Sequence, residues 1–567
     1  MFKTLRKILF LINERQKRSL LILSLLLFFG MFLEVIGLGI LIPTITILLD
    51  PESFKDVEIL SSIKDFLLIS SEGWLVYFFL VLVMSIYLLK SIFLVYLTFR
   101  KNRFLQNLNA YISNNLYSSY LKQNYNFHVN RNSSELIKNI QVEVGILGSF
   151  INSIITIFIE IGFIVSIIFT LLYIEFIGAI SVGLFYGILS IFFFQFTKKK
   201  ITAWGEIREE VDGKISKITL EGLGGIKDLI ILGKTSFYSS IFSEKNYQKS
   251  RITSNQETLT QTSRFYLEFI SVAGLISFIM ILITLGKPTT EVVGILGVFV
   301  AASFRLLPSL NRVLNSIQTI KYSKPSLDII SSEISSVDLI NRKIDKQFEF
   351  KFENCIEFIN VDFSFSNNIQ VLKGVNLKIE KGKTVGIIGE SGSGKSTLVD
   401  ILMGLYKPTK GEIKIDGISG FQLNQSWRNI IGYVSQSIYL TDDSIKNNIA
   451  LGVPNDEISD SRVFEILKEV QLEGFVEKLK FGIHTKVGER GVQLSGGQMQ
   501  RLGIARALYN SPDILILDEA TSALDTKTEK ELMDCIYNLK ADKTIIMIAH
   551  RLNTLKRCDF LYEIKSN

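Results

Sequence analysis

The chain has 567 residues, 47% of them hydrophobic and 21% charged, with a net charge of +7 and three cysteines. That length holds two large domains, and the apolar share exceeds what a soluble enzyme of this size carries. The basic excess flanks apolar segments and so follows membrane topology rather than a nucleic-acid surface, while Cys355, Cys535 and Cys558 lack metal-ligand spacing and read as reduced cytosolic thiols.

Apolar segments long enough to span a bilayer run at Leu20–Leu49, Trp74–Phe99, Ile146–Leu172, Phe176–Phe196, Phe265–Leu285 and Val292–Ile320, a span needing about 20 residues. The first is too long for a signal-peptide core and lacks a small-residue cleavage site, so it is expected to remain as a span. Lysine and arginine placement sets the orientation. Lys3, Arg6, Lys7, Arg15, Lys17 and Arg18 put the N-terminus inside, and the loop 50–73, with only Lys55 and Lys64, falls outside. Arg100, Lys101 and Arg103, then Lys198, Lys199 and Lys200, mark two long inner loops, against short outer turns near Glu175 and Pro288. Both termini are therefore expected in the cytoplasm. In the outer loop, Val57, Leu60, Ile63 and Leu67 share one face of a short helix within Ser53–Ser70.

Beyond the last span the pattern changes. Polar residues 323–347 read as a linker, and from Phe348 short β-branched runs alternate with helical stretches. The expected fold class is a polytopic α-helical membrane domain of six spans, 1–322, fused to an α/β P-loop domain, 348–567, built on a mainly parallel sheet.

Within that second domain Gly389, Glu390, Ser391, Gly392, Ser393, Gly394, Lys395 and Ser396, followed by Thr397, fill the pattern GxxxxGK[ST] between an apolar run, Val385–Ile388, and a helical stretch. Glycines there let backbone amides wrap phosphates, with Lys395 on the β- and γ-phosphates and the Ser396 hydroxyl on Mg²⁺. A glycine-rich turn arising by chance is the alternative, and the strand-loop-helix context argues against it. A second apolar strand, Ile514–Leu517, ends in Asp518 and Glu519, suited to the Mg²⁺ shell and to polarising the attacking water. Leu494, Ser495, Gly496, Gly497 and Gln498 open a helical run whose amides form a γ-phosphate site.

In these motifs the chain resembles ABC exporters along essentially its whole length. The resemblance implies ATP and Mg²⁺ as cofactors. It places Gln436 at the Q-loop as a catalytic and metal-shell residue, Ser522–Asp525 at the D-loop, and His550 as the switch histidine. Phe365 stands where an aromatic stacks on adenine, and Gly488–Gly491 where exporters touch their coupling helices. His128 and His484 carry no expected catalytic role. The signature of one subunit completes the P-loop site of another in this family. A homodimer with two equivalent sites, in a bacterial inner membrane and with the ATPase domain cytoplasmic, is the simplest reading.

Cargo must be read from the membrane half. Glu34, Lys90, Glu160, Arg264, Glu268, Arg305 and Arg312 lie in or at the ends of spans, where charge is costly and faces a cavity or a partner. Arg305, Ser309, Arg312 and Ser316 recur on one helical face, a basic stripe suited to an anionic cargo. Pairing with the membrane acids is the competing explanation, and Arg264 with Glu268 is spaced i,i+4 for it. The segments Phe32–Val35, Arg264–Glu268, Arg305–Arg312 and Ser326–Ile330 are similar to those of PglK-type lipid-linked oligosaccharide flippases, with Lys90 at a position where arginine is expected. That resemblance implies an external helix at Ser53–Ser70 and a cargo lipid whose diphosphate meets Lys90, Arg264, Arg305 and Arg312. The alternatives are a lipid A or phospholipid flippase and a multidrug or peptide exporter, though no N-terminal cysteine protease domain is recognised that would go with peptide maturation. A regulatory channel or receptor switched by ATP binding is disfavoured by the intact Glu519 and signature.

Overall fold

The computed structural model describes residues 2–49, 72–174, 176–284, 289–341, 350–365, 369–520, 526–538, 543–549 and 555–565, with the side chains of some membrane-helix residues, Glu34 and Arg305 among them, outside the description. It divides into two compact units, Met1–Gln123 with Phe127–Arg342, and Asn124–Asn126 with Lys343–Asn567. The expected helix at 53–70, the outer turns, the D-loop Ser522–Asp525 and His550 lie outside the described residues.

The first unit is helical. Its elements include α1 (Phe2–Leu11), α2 (Glu14–Leu49), α3 (Glu72–Leu121), α4 (Ser133–Lys138), α5 (Val144–Ile174), α6 (Phe176–Gly224), α7 (Thr235–Thr284), α8 (Thr289–Tyr322) and α9 (Lys324–Asn341). Helices α3, α6 and α7 have 50, 49 and 50 residues. At 1.5 Å per residue such a helix is about 75 Å long, more than twice the hydrocarbon thickness of a bilayer. One half of each is therefore too polar and too long for lipid, and the sequence divides accordingly, apolar over 74–99 and polar over 100–121 in α3.

Among the described residues four segments are long and apolar enough to cross a membrane: Glu14–Leu33, Leu80–Leu121, Ser133–Phe169 and Thr235–Met280. The other two expected spans fall on α6 and α8. Residues 324–341, expected as linker, form α9 instead. Leu327 and Ile330 of α9 are buried beside Leu108, Ile112 and Leu116 of α3, so its apolar positions at i and i+3 give it a core to pack on.

A charged cluster lies inside this unit. Arg208 of α6 donates to Glu143 Oε1 at 3.1 Å, Glu143 Oε2 at 3.2 Å, Asp212 Oδ2 at 3.4 Å and the Ser326 hydroxyl of α9 at 3.0 Å. Lys138 pairs with Glu209, and Lys249 of α7 with Asp212 at 2.6 Å. Glu143 closes a π turn, Asn139–Glu143, that joins α4 to α5. The wider ring of a π turn re-aims a side chain, here into the cluster.

The second unit has two sheets rather than the single, mainly parallel one expected. The strands are β1 (Cys355–Ser364), β2 (Gln370–Glu380), β3 (Thr384–Ile388), β4 (Lys410–Ile415), β5 (Ile418–Ser419), β6 (Ile431–Val434), β7 (Ile514–Asp518), β8 (Thr544–Ile548) and β9 (Phe560–Glu563). A four-stranded antiparallel sheet runs β2-β1-β4-β5, and a five-stranded parallel sheet runs β6-β7-β8-β3-β9. Every residue of β7 and β8 is buried, as in strands covered on both faces. β1 instead buries alternate residues over much of its length, the pattern of a strand with one face on the core. Register aligns Ile387 of β3 with Ile548 of β8, and Ile548 with Asp518 of β7. The loops after β3 and β7 therefore leave one edge of the sheet at one level, the edge where α/β sheets bind ligands.

Candidate functional site

The loop after β3 turns sharply to enter α10 (Lys395–Leu402). Gly394 caps that helix at φ 95°, and a side chain there would meet Val371 and Leu372, so only glycine fits. Lys395 is buried with its Nζ donating to the carbonyls of Gly389 at 2.9 Å and Glu390 at 2.8 Å. Its charge is thus held inside the loop. The Ser393 hydroxyl is buried in the same loop without a protein partner.

At the end of β7, Asp518 meets Ser396 of the loop helix, a hydrogen bond that favours its ionised form. Tyr433 of β6 donates to Asp518 Oδ2 at 3.4 Å. Burial and the neighbouring Glu519 carboxylate nonetheless hold the Asp518 carboxyl above the usual range. Glu519 accepts from Gln436 Nε2 at 2.7 Å, joining the residue after β7 to the loop after β6. Ser396 and Asp518 are hard oxygen donors of the kind Mg²⁺ takes, and with the glycine loop, Lys395 and the unpartnered Ser393 hydroxyl they fit a nucleotide triphosphate and its metal. Mg²⁺ would neutralise phosphate charge there, and Glu519 would orient water.

Two residues were not apparent from motifs. Asp400 on α10 has its carboxyl pushed up to about 6 by burial and by the charge of Asp518, and burial raises the Tyr433 hydroxyl strongly. The available signal was an acid inside the apolar run Leu398, Val399, Ile401 and Leu402.

The signature opens α11 (Gly496–Leu508). Ser495 caps it, its hydroxyl accepting from the Gln498 amide at 3.3 Å while the Gln498 side chain accepts from the Ser495 amide at 2.9 Å. This capping box fixes the helix start at Gly496 and Gly497. Phe365 packs edge-on to Phe363 and Tyr406, with centroids at 5.0 and 5.7 Å.

In the helical unit Arg312, one of the two arginines of the expected stripe, is paired. Arg312 forks onto Glu160, with Nε to Oε1 at 2.6 Å and Nη2 to Oε2 at 3.1 Å. Arg264 donates to Glu268 at 2.8 Å one turn along α7. Lys90 is buried with its Nζ 4.7 Å from the Tyr87 ring centroid, and the Arg305 side chain lies outside the description. A charge weighed only for topology, Lys101 of α3, interacts with both Glu160 and Arg312. Beside the Arg264–Glu268 pair lies a cavity of about 510 Å³, lined also by Leu267, Leu307, Pro308 and Asn311. The Asn311 Oδ1 atom is buried without a protein donor.

A family profile described as "ABC transporter" matches residues 372–522. ABC transporter B family member 17 of Arabidopsis thaliana is 41% identical over 215 residues, 37% of this chain and 17% of that protein. The heterocyst differentiation ATP-binding protein HepA of Nostoc is 33% identical over 353 residues, 61% of this chain and 57% of that protein. Multidrug resistance protein 1 of Entamoeba histolytica is 38% identical over 266 residues, 46% of this chain and 20% of that protein. The chain therefore spans well under two thirds of the length of these curated relatives. A solved structure of a bacterial Atm1-family ABC exporter with ATP bound superposes over 98% of this chain and 94% of that one, with TM-score 0.75 and 22% identity. The fold is that of an ABC exporter, a helical transmembrane domain with an ATPase domain. Residues 372–522 are where the chain is similar to the ABC transporter family.

Proposed function

We propose that the chain is half of a homodimeric, ATP-hydrolysing exporter of a bacterial inner membrane, and that its cargo is a lipid-linked oligosaccharide carried on a polyprenyl diphosphate. The carrying observation is the joined nucleotide site, with Ser396 on Asp518 and Gln436 on Glu519, in one chain with helices long and apolar enough to cross a membrane. Glu519 acts as general base, and Ser396, Gln436 and Asp518 hold Mg²⁺. The signature Ser495–Gln498 closes the site of the partner subunit, and His550 contacts the γ-phosphate.

The cargo reading is supported by the four membrane-half segments similar to PglK-type flippases and by arginine, whose fork suits phosphate oxygens. A largely apolar cavity rimmed by an ion pair suits an amphiphile with a charged head. Similarity to a multidrug resistance protein favours a second reading, export of hydrophobic drugs. ATPase stimulation of the purified protein in bilayers separates them. A polyprenyl-diphosphate oligosaccharide is expected to stimulate, while lipid A, phospholipid and a hydrophobic cation do not. Stimulation by the cation with none by the diphosphate lipid replaces the first reading with the second.

A further inference from the structure

Glu160 is a single carboxylate facing two cations. Arg312 grips both of its oxygens, and Lys101 adds a second positive charge from α3. The local sum is one positive charge in a helical unit whose surroundings are apolar. The Arg312–Glu160 fork, two roughly parallel N–H to oxygen bonds, is the arrangement a guanidinium makes with phosphate oxygens. The two partners differ in access. Glu160 is 6% exposed by its side chain and Arg312 is 44% exposed, so an incoming anion reaches Arg312 first and finds its fork already held from behind.

We propose that Glu160 is a built-in stand-in for the cargo's phosphate: its carboxylate holds the Arg312 fork in the arrangement that takes phosphate oxygens and is displaced from it when a phosphate or diphosphate group arrives. This rests on the anionic-cargo reading above and names the residue against which the headgroup competes. The competition sets selectivity. A neutral or cationic amphiphile gains nothing from releasing the pair, while a dianionic group exchanges one carboxylate for more charge at the same guanidinium. Without the stand-in, two like charges would sit together in a partly buried place, which is costly.

The test measures ATPase stimulation by polyprenyl diphosphate, inorganic pyrophosphate and neutral polyprenol in bilayers, alongside melting temperature. In Glu160→Gln the half-stimulating concentration of polyprenyl diphosphate is expected to fall roughly tenfold or more, the scale of one charge-assisted hydrogen bond. Glu160→Asp keeps the charge and stays near wild type. Glu160→Gln with Lys101→Gln keeps the local charge sum, so a low value there too shows that the gain comes from the freed fork and not from added net charge, and a wild-type value there overturns the proposal. An equal response of wild type, Glu160→Gln and the double variant overturns the proposal and leaves the cargo reading standing. A lowered melting temperature with no gain in sensitivity makes the pair structural and also overturns it. If neither wild type nor variant responds to any diphosphate, both readings fall. A gain for pyrophosphate equal to that for the lipid supports the stand-in with a soluble phosphate compound as its ligand.

Discussion

At the residue scale the nucleotide site is a set of carboxylates held in unlike environments. Glu519 accepts from Gln436, and burial raises the carboxyl of Asp518. Glu519→Gln is expected to keep ATP binding and lose about 10²–10⁴ of turnover, read as phosphate release beside a nucleotide-binding titration. Wild-type turnover in that variant removes its role as base. Asp400 gives a pH signature. Its folded value, about 6, lies above the usual carboxylate range. Its contribution to stability is therefore fully present below the unfolded value near 4 and is lost as pH rises through about 6. The melting temperature of wild type should fall relative to Asp400→Asn across that window. Parallel curves from pH 4 to 7 would mean that Asp400 is solvated and uncoupled from Asp518.

At the element scale, the buried charge cluster ties the π turn, α6, α7 and α9 together through Arg208, Glu143, Asp212, Lys249 and Ser326. Removing one partner of a buried ionic group leaves an uncompensated charge and costs about 3–5 kcal/mol, whereas replacing both by apolar groups is often neutral. Arg208→Met is therefore expected to destabilise strongly, and Arg208→Met with Glu143→Leu to recover most of the loss, read by thermal unfolding in detergent. A double variant as unstable as the single one would place the loss elsewhere than in the unpaired Glu143. The cluster was hidden in the sequence because Glu143, Arg208 and Ser326 are far apart along the chain and each, taken alone, reads as a solvated polar residue. α9 was hidden for a related reason. Its polar composition matches a linker, and Leu327 and Ile330 become a buried face only by joining the core formed with α1, α2, α3 and α5.

At the scale of the whole molecule, the nucleotide motifs were legible because phosphate chemistry ties fixed residue types to fixed spacings, as at Gly389–Ser396 and Ser495–Gln498. The antiparallel sheet was less legible: β1 contains the unpatterned stretch Ile359–Asn360, exposed where the ladder with β2 shifts register. Helical periodicity gives the face of Arg312 and not what stands opposite it. Pairing with Glu160 depends on how α5 and α8 pack, which no single helix records.

The unbroken length of α6 and α7 also limits how such a chain can change. A residue gained within a loop is absorbed by local rearrangement. Gained within a continuous helix, it turns everything beyond by about 100° and advances it by about 1.5 Å. One residue added between Phe196 and Arg208 would swing Arg208 off Glu143 and Ser326 and Asp212 off Lys249, and every later contact of α6 with them. Insertions and deletions are therefore expected to be tolerated at the ends of these helices and not within their 49 and 50 residues.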